Sequence, residues 1–149
     1  MFRQINLPQS TQKDDGLSMY HLDEETCKLL LEEGDKALQF TFPEPNSGFA
    51  VALLTDKGTV ITGASYKSDT HNTTMHSEAV ALARAAQQGE TRLVAITGPN
   101  CHNCKQLVWE SSIRSKIDTI VIIQEEGNIK QIPISELMPY AWPDKNLNK

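Results

Sequence analysis

Two apolar runs constrain this chain more than any other feature: Leu93–Thr97 (LVAIT) and residues 117–123, which contain DTIVII. A strand without polar alternation must be covered on both faces, so these runs call for a sheet with helices above and below it. The rest of the chain supplies suitable covers. Residues 23–40 place acids in a first turn, and Cys27, Leu30, Leu31, Ala37, Leu38 and Phe40 then recur at helical spacing; Gly34 weakens this helix without ending it. Residues 49–54 and 59–65 flank a short connection containing Asp56 and Gly58, which predicts a β-hairpin. An alanine-rich helix follows from His76 and stops at Gly89, and another starts near Cys101. After residues 117–123, a Glu-Glu-Gly-Asn turn leads to a short strand over 129–132 and a closing SELM. The order α-β-β-α-β-α-β-β-α predicts a mixed α/β sheet. Its last two strands are too close in sequence for a parallel crossover and must be antiparallel if they pair.

A polar arm (residues 1–22) precedes a single expected domain (23–149), and 149 residues suffice for a core without covalent staples. Fourteen Lys and Arg against nineteen Asp and Glu give a net charge of −5, which disfavours a polynucleotide partner. No apolar stretch suits a signal peptide or a membrane span. An odd count of three cysteines does not make a disulfide framework; it fits reduced thiols and a cytoplasmic setting.

Two of those cysteines carry chemistry. Cys101 and Cys104 form a C-x-x-C where a buried strand runs into a helix, and unpaired N–H groups at the helix start favour thiolates. A zinc site needs a further ligand, and His76, which opens the preceding helix at the same sheet edge, is placed to give it. Three protein ligands leave a fourth position for water, the arrangement of a catalytic zinc. Glu78, two residues after His76, is suited to take a proton from that water and pass it to a leaving group.

This His-x-Glu followed by Cys-x-x-Cys is the signature of zinc deaminases. Residues 49–139 resemble the cytidine deaminase family, including its blasticidin-S deaminase branch, in the hairpin FAVALLTDKGTVITGASY, the helix HSEAVALARAAQQG and the closing ISELMP. The resemblance implies a three-layer α-β-α fold with a five-stranded mixed sheet, Zn²⁺ on His76, Cys101 and Cys104, and Glu78 as proton shuttle. It also implies hydrolysis of an exocyclic amine from a cytidine-like nucleoside, nucleotide or related heterocycle by zinc-activated hydroxide. A homotetramer or homodimer acting on a small molecule is expected. Ser65, Lys67, Ser77 and Asn103 are the expected substrate-binding residues.

The chain departs from the family pattern in three ways. Asn100 stands between Pro99 and the first cysteine, and the stretch from strand to cysteines is short. Ser65 and Lys67 occupy the positions of an N-x-E pair that holds the ribose hydroxyl. A lysine cannot accept a hydroxyl proton, but suits a phosphate or carboxylate. Two rival readings stand beside this one: a deaminase-like protein that binds metal or nucleotide without turnover, and a thioredoxin-like redox pair using Cys101 and Cys104. Cys27 reads as core packing and Trp109 as part of a helix's apolar face. His102 reads as a surface or metal-supporting residue. Asn100 and Asn103 fit either the pocket or a helix cap, and Tyr140 and Trp142 either local packing or a neighbouring subunit's site.

Overall fold

A computed structural model describes residues 2–145 of the chain. The arm contributes three two-residue strands: β1 (Arg3–Gln4), β2 (Thr11–Gln12) and β3 (Ser18–Met19). Helix α1 (Glu24–Ala37) follows, then β4 (Ala50–Thr55), β5 (Thr59–Ala64), α2 (Ser77–Gln87), β6 (Leu93–Thr97), α3 (His102–Ser115), β7 (Ile120–Glu125), β8 (Asn128–Pro133) and a one-turn α4 (Ile134–Leu137). The main sheet runs β1-β5-β4-β6-β7-β8, with β6 and β7 parallel and the other neighbours antiparallel. The expected five strands are all present. The sixth is β1, too short and polar to be read as a strand, which adds to the edge by pairing Arg3 with Val60 and Gln4 with Thr59.

Side chains alternate across the sheet. Val51, Leu53, Ile61 and Val121 face a core shared with Ala81 and Ala85 of α2, Val108, Trp109 and Ile113 of α3, and Ile134 of α4. Ala52, Leu54, Val60, Ile120 and Ile122 face the other core, with Cys27 and Leu30 of α1. The result is three layers, α1 on one face and α2, α3 and α4 on the other. A register shift between β4 and β6 pairs Leu54 with Ala95 but Thr55 with Leu93, so Val94 is the extra residue and joins Ala95 on the α1 face. All five residues of β6 are buried, as a strand covered on both sides requires.

Capping follows from residue type. Asp23 caps α1 by accepting from the Thr26 N–H at 2.7 Å. Gly34 faces the backbone of Val51 and Ala52, where a Cβ would still fit at ordinary contact distance. Phe40 is a correction to the sequence reading: the helix gives way to a 3₁₀ turn at Leu38, which leaves its ring 71% exposed. The strand expected from residue 117 begins at Ile120, because Asp118 turns its side chain into the structure instead. That carboxylate is fully buried, accepts hydrogen bonds from the Ser135 N–H and hydroxyl, and pairs with Lys13 of the arm. The arm is therefore docked. Gly58, with φ of +81°, brings the hairpin turn so close to Ile5 that a Cβ would fall 2.2 Å from the Ile5 carbonyl oxygen. Among the described residues, no helix is long and apolar enough to cross a membrane.

Candidate active site

Two helix starts meet at one edge of the sheet. His76 is the N-terminal cap of α2 and Cys101 that of α3; neither side chain caps its own helix, which leaves both free to point outward. Ser77 and Glu78 are buried in the first turn of α2, and Cys104 in the first turn of α3. Gly63 makes this possible. A Cβ there would lie 2.3 Å from the Ser77 carbonyl oxygen and 2.5 Å from the Ala81 nitrogen, so only glycine lets α2 lie directly on β5.

The His76 Nδ1 atom lies 3.4 Å from Cys101 Sγ and 3.3 Å from Cys104 Sγ. All three donor atoms fall within 4.8 Å of one another. For a tetrahedral zinc with ordinary Zn–N and Zn–S bonds, the N···S edge is about 3.5 Å. The donor set fits such an ion in both chemistry and spacing.

Electrostatics point the same way. Burial, then the Glu78 carboxylate and the Cys101 thiol, push the Cys104 thiol far above its ordinary range. Two sulfurs and a carboxylate converge, yet none of the ion pairs among the described residues involves Glu78. A cation bound between the sulfurs reverses that penalty and makes thiolates the stable form. Cys27, by contrast, is fully buried in the α1 core. Burial first, with Asp23 and Glu24 nearby, raises its thiol to about 11, and it is an inert packing residue.

Glu78 is held at both oxygens. Oε1 accepts from the Asn100 amide at 2.9 Å, and Oε2 accepts from the Ser77 hydroxyl at 3.1 Å and lies 3.3 Å from Cys104 Sγ. In front of this group opens a cavity of about 570 Å³, the size of small-molecule sites. His76, Ser77, Glu78 and Cys101 line its floor, and Ser65, Lys67, His71 and Thr74 are among its walls. Ser65 Oγ accepts from the Phe49 N–H at 3.1 Å, anchoring that hydroxyl to the wall.

Of the residues expected from sequence, His76, Glu78, Cys101 and Cys104 come together, and Ser65, Lys67 and Ser77 line the same cavity. Asn103 is exposed on α3 and does not line the cavity; His102 is exposed beside it. Trp109 is in the core, and its indole N–H donates to the Pro143 carbonyl at 2.8 Å. Tyr140 and Trp142 are exposed. His71, Thr74 and the wall residue Ser47 carried no sequence signal, because they lie in polar loops without periodicity; Phe49 was legible only as the start of an apolar strand. Gly63 did carry one: it is a lone glycine in an apolar strand, the mark of close backbone approach.

Comparison with known proteins agrees with this geometry. A family model described as the cytidine and deoxycytidylate deaminase zinc-binding region matches residues 21–122. A cytidine deaminase of Halalkalibacterium halodurans is 31% identical over 132 residues, covering 81% of this chain and 97% of that protein. Among solved structures, a cytidine deaminase from Burkholderia pseudomallei superposes with a TM-score of 0.67 at 20% identity, covering 81% of this chain and all (100%) of the other. One from Mycobacterium tuberculosis gives 0.63 at 22% identity, covering 77% and 95%. At such identities these two show the shared fold.

Proposed function

Since this chain belongs to the cytidine and deoxycytidylate deaminase family and is a hydrolase acting on carbon–nitrogen bonds, we propose that it releases ammonia from a cytidine-like nucleoside, nucleotide or related amino-heterocycle. The observation that carries this reading is the convergence of His76 Nδ1 on both cysteine sulfurs, at 3.3–3.4 Å, with the Glu78 carboxylate 3.3 Å from Cys104. A metal belongs to the family; zinc is the ion that this soft, tetrahedral donor set selects. The same convergence weighs against a redox role, since an imidazole close to both sulfurs serves a shared ion and not a disulfide.

His76, Cys101 and Cys104 hold zinc, whose contribution when bound is to make water a nucleophile near neutral pH. Glu78 moves the protons. It takes one from the attacking water and delivers it to the departing amine; a C–O bond forms, the C–N bond breaks, and ammonia leaves. Ser77 keeps Oε2 of Glu78 oriented through its hydroxyl. Lys67 puts a cation in the cavity wall, and among the described residues of the lining Glu78 is the only acid, although the chain as a whole carries −5. This balance favours a substrate bearing a phosphate or carboxylate, bound by Lys67 with Ser65 beside it. The exposed Phe42 and Tyr66 rings, stacked at 4.5 Å, and exposed Phe49 and Met75 near the cavity fit a homodimer or homotetramer. Free thiols at the site fit a reducing, cytoplasmic setting.

An ammonia-release screen of zinc-loaded protein tests this. The expected result is turnover of an amino-pyrimidine, with kcat/KM at least about 10-fold higher for a phosphorylated or carboxylated form than for the neutral nucleoside, and loss of that preference in Lys67→Glu. Cytidine turned over at about 10⁵ M⁻¹s⁻¹ or better, with no preference for an anionic form, contradicts the role of Lys67. No ammonia from any amino-pyrimidine, amino-purine, pterin or triazine contradicts the proposed activity.

A further inference from the structure

We infer that Asn100 is a positioning residue for Glu78. The inference rests on the reading of Glu78 as the proton carrier. Asn100 lies in the connection from β6 to α3 and is only 6% exposed. Its Nδ2 donates to Glu78 Oε1 at 2.9 Å and to the Thr97 carbonyl oxygen at 3.2 Å. An amide nitrogen has two protons, and each here meets an acceptor, which fixes which way the amide points. At the other end of the amide, Asn100 Oδ1 is buried, and nothing among the described residues donates to it. It lies against Gly98, whose absent Cβ would fall 3.0 Å away.

The two oxygens of Glu78 make different contacts. Asn100 occupies Oε1, and Oε2 is turned toward Ser77 and Cys104, the side on which the histidine and cysteines converge. The last torsion of a glutamate has broad minima, so a carboxylate held at only one oxygen can swing away from the reacting atoms. The amide of Asn100 removes that freedom. It needs no contact with substrate, and its effect passes through Glu78 to the rate of the chemical step.

The test uses two full-length, zinc-loaded variants. Asn100→Leu removes both donors while keeping the branching of the side chain, and Asn100→Asp keeps the shape while replacing the donor by an acceptor. For each, kcat on the best substrate is expected to fall about 10²-fold, with KM within about twofold of wild type and one zinc per chain. Crystals of Asn100→Leu are expected to show the Glu78 carboxylate moved from its present place. If Asn100→Leu does not fold, as judged by circular dichroism, Asn100→Asp decides on the same readouts. Overturning results are kcat within about threefold of wild type, an unmoved Glu78, or a loss shared by KM and zinc content. Failure here is separable from failure of the parent reading. If Glu78→Gln retains activity, the proton-carrier role falls; if it is inactive while Asn100→Leu remains active, only the positioning role falls.

Discussion

Replacing Glu78 by Gln is expected to lower kcat for ammonia release by about 10²–10⁴-fold while leaving one zinc per chain. The substitution is nearly isosteric, and the position is buried at the start of α2, so the fold has no reason to change. A Gln amide cannot take a proton from water or pass one to an amine. Glu78 Oε2 lies 3.3 Å from Cys104 Sγ, near enough to the histidine–cysteine group to reach a water bound there, yet the donor spacing closes on His76 and the two cysteines without it. Parallel assays of ammonia release and bound metal check both halves of this expectation. A variant that loses its metal would move Glu78 into the ligand set; one that keeps its rate would leave it no role in the reaction.

The second large effect is at Cys104. Cys104→Ala is expected to reduce bound zinc below about a tenth of an equivalent and abolish turnover, because the two remaining protein donors cannot hold the ion well. Stability should follow occupancy. Free zinc at about 100 times its dissociation constant stabilises the native state by about 2.7 kcal/mol, so a chelator should lower the Tm of wild type and leave that of Cys104→Ala unchanged. His102→Ala is the control: its side chain is exposed between the two cysteines, and its loss should alter neither zinc content nor rate. Metal analysis and thermal unfolding, with and without chelator, read out the comparison.

The elements that could be read from the sequence are those with strong local signals. LVAIT carries no polar residue before its closing Thr97, and all five of its residues are buried; Asp23 accepts from Thr26; Glu126 and Gly127 turn the last hairpin with positive φ. That His76, Glu78, Cys101 and Cys104 come together was legible because thiol, imidazole and carboxylate at helix starts are rare without a purpose. What stayed hidden depends on tertiary contact. The strand β1 exists because Arg3 and Gln4 find an open edge on β5, which no periodicity in two polar residues announces. Phe40 continues the apolar spacing of α1 and is nonetheless exposed, since the helix tightens into a 3₁₀ turn before reaching it. The Asn100–Glu78 hydrogen bond spans 22 positions and joins two loops-into-helices, so its partners are identified only once β6 and α2 are placed. Asn103, three residues later and of the same type, faces out from α3.

In the proposed reaction, a metal held by His76, Cys101 and Cys104 drives the removal of an amine. Titrating zinc into metal-free protein while following ammonia release from the best amino-pyrimidine tests that claim most directly. The prediction is a rate that is absent without zinc, rises in proportion to bound zinc and saturates at one ion per chain. A full rate in metal-free protein, or stoichiometric zinc binding that leaves the rate unchanged, would contradict it.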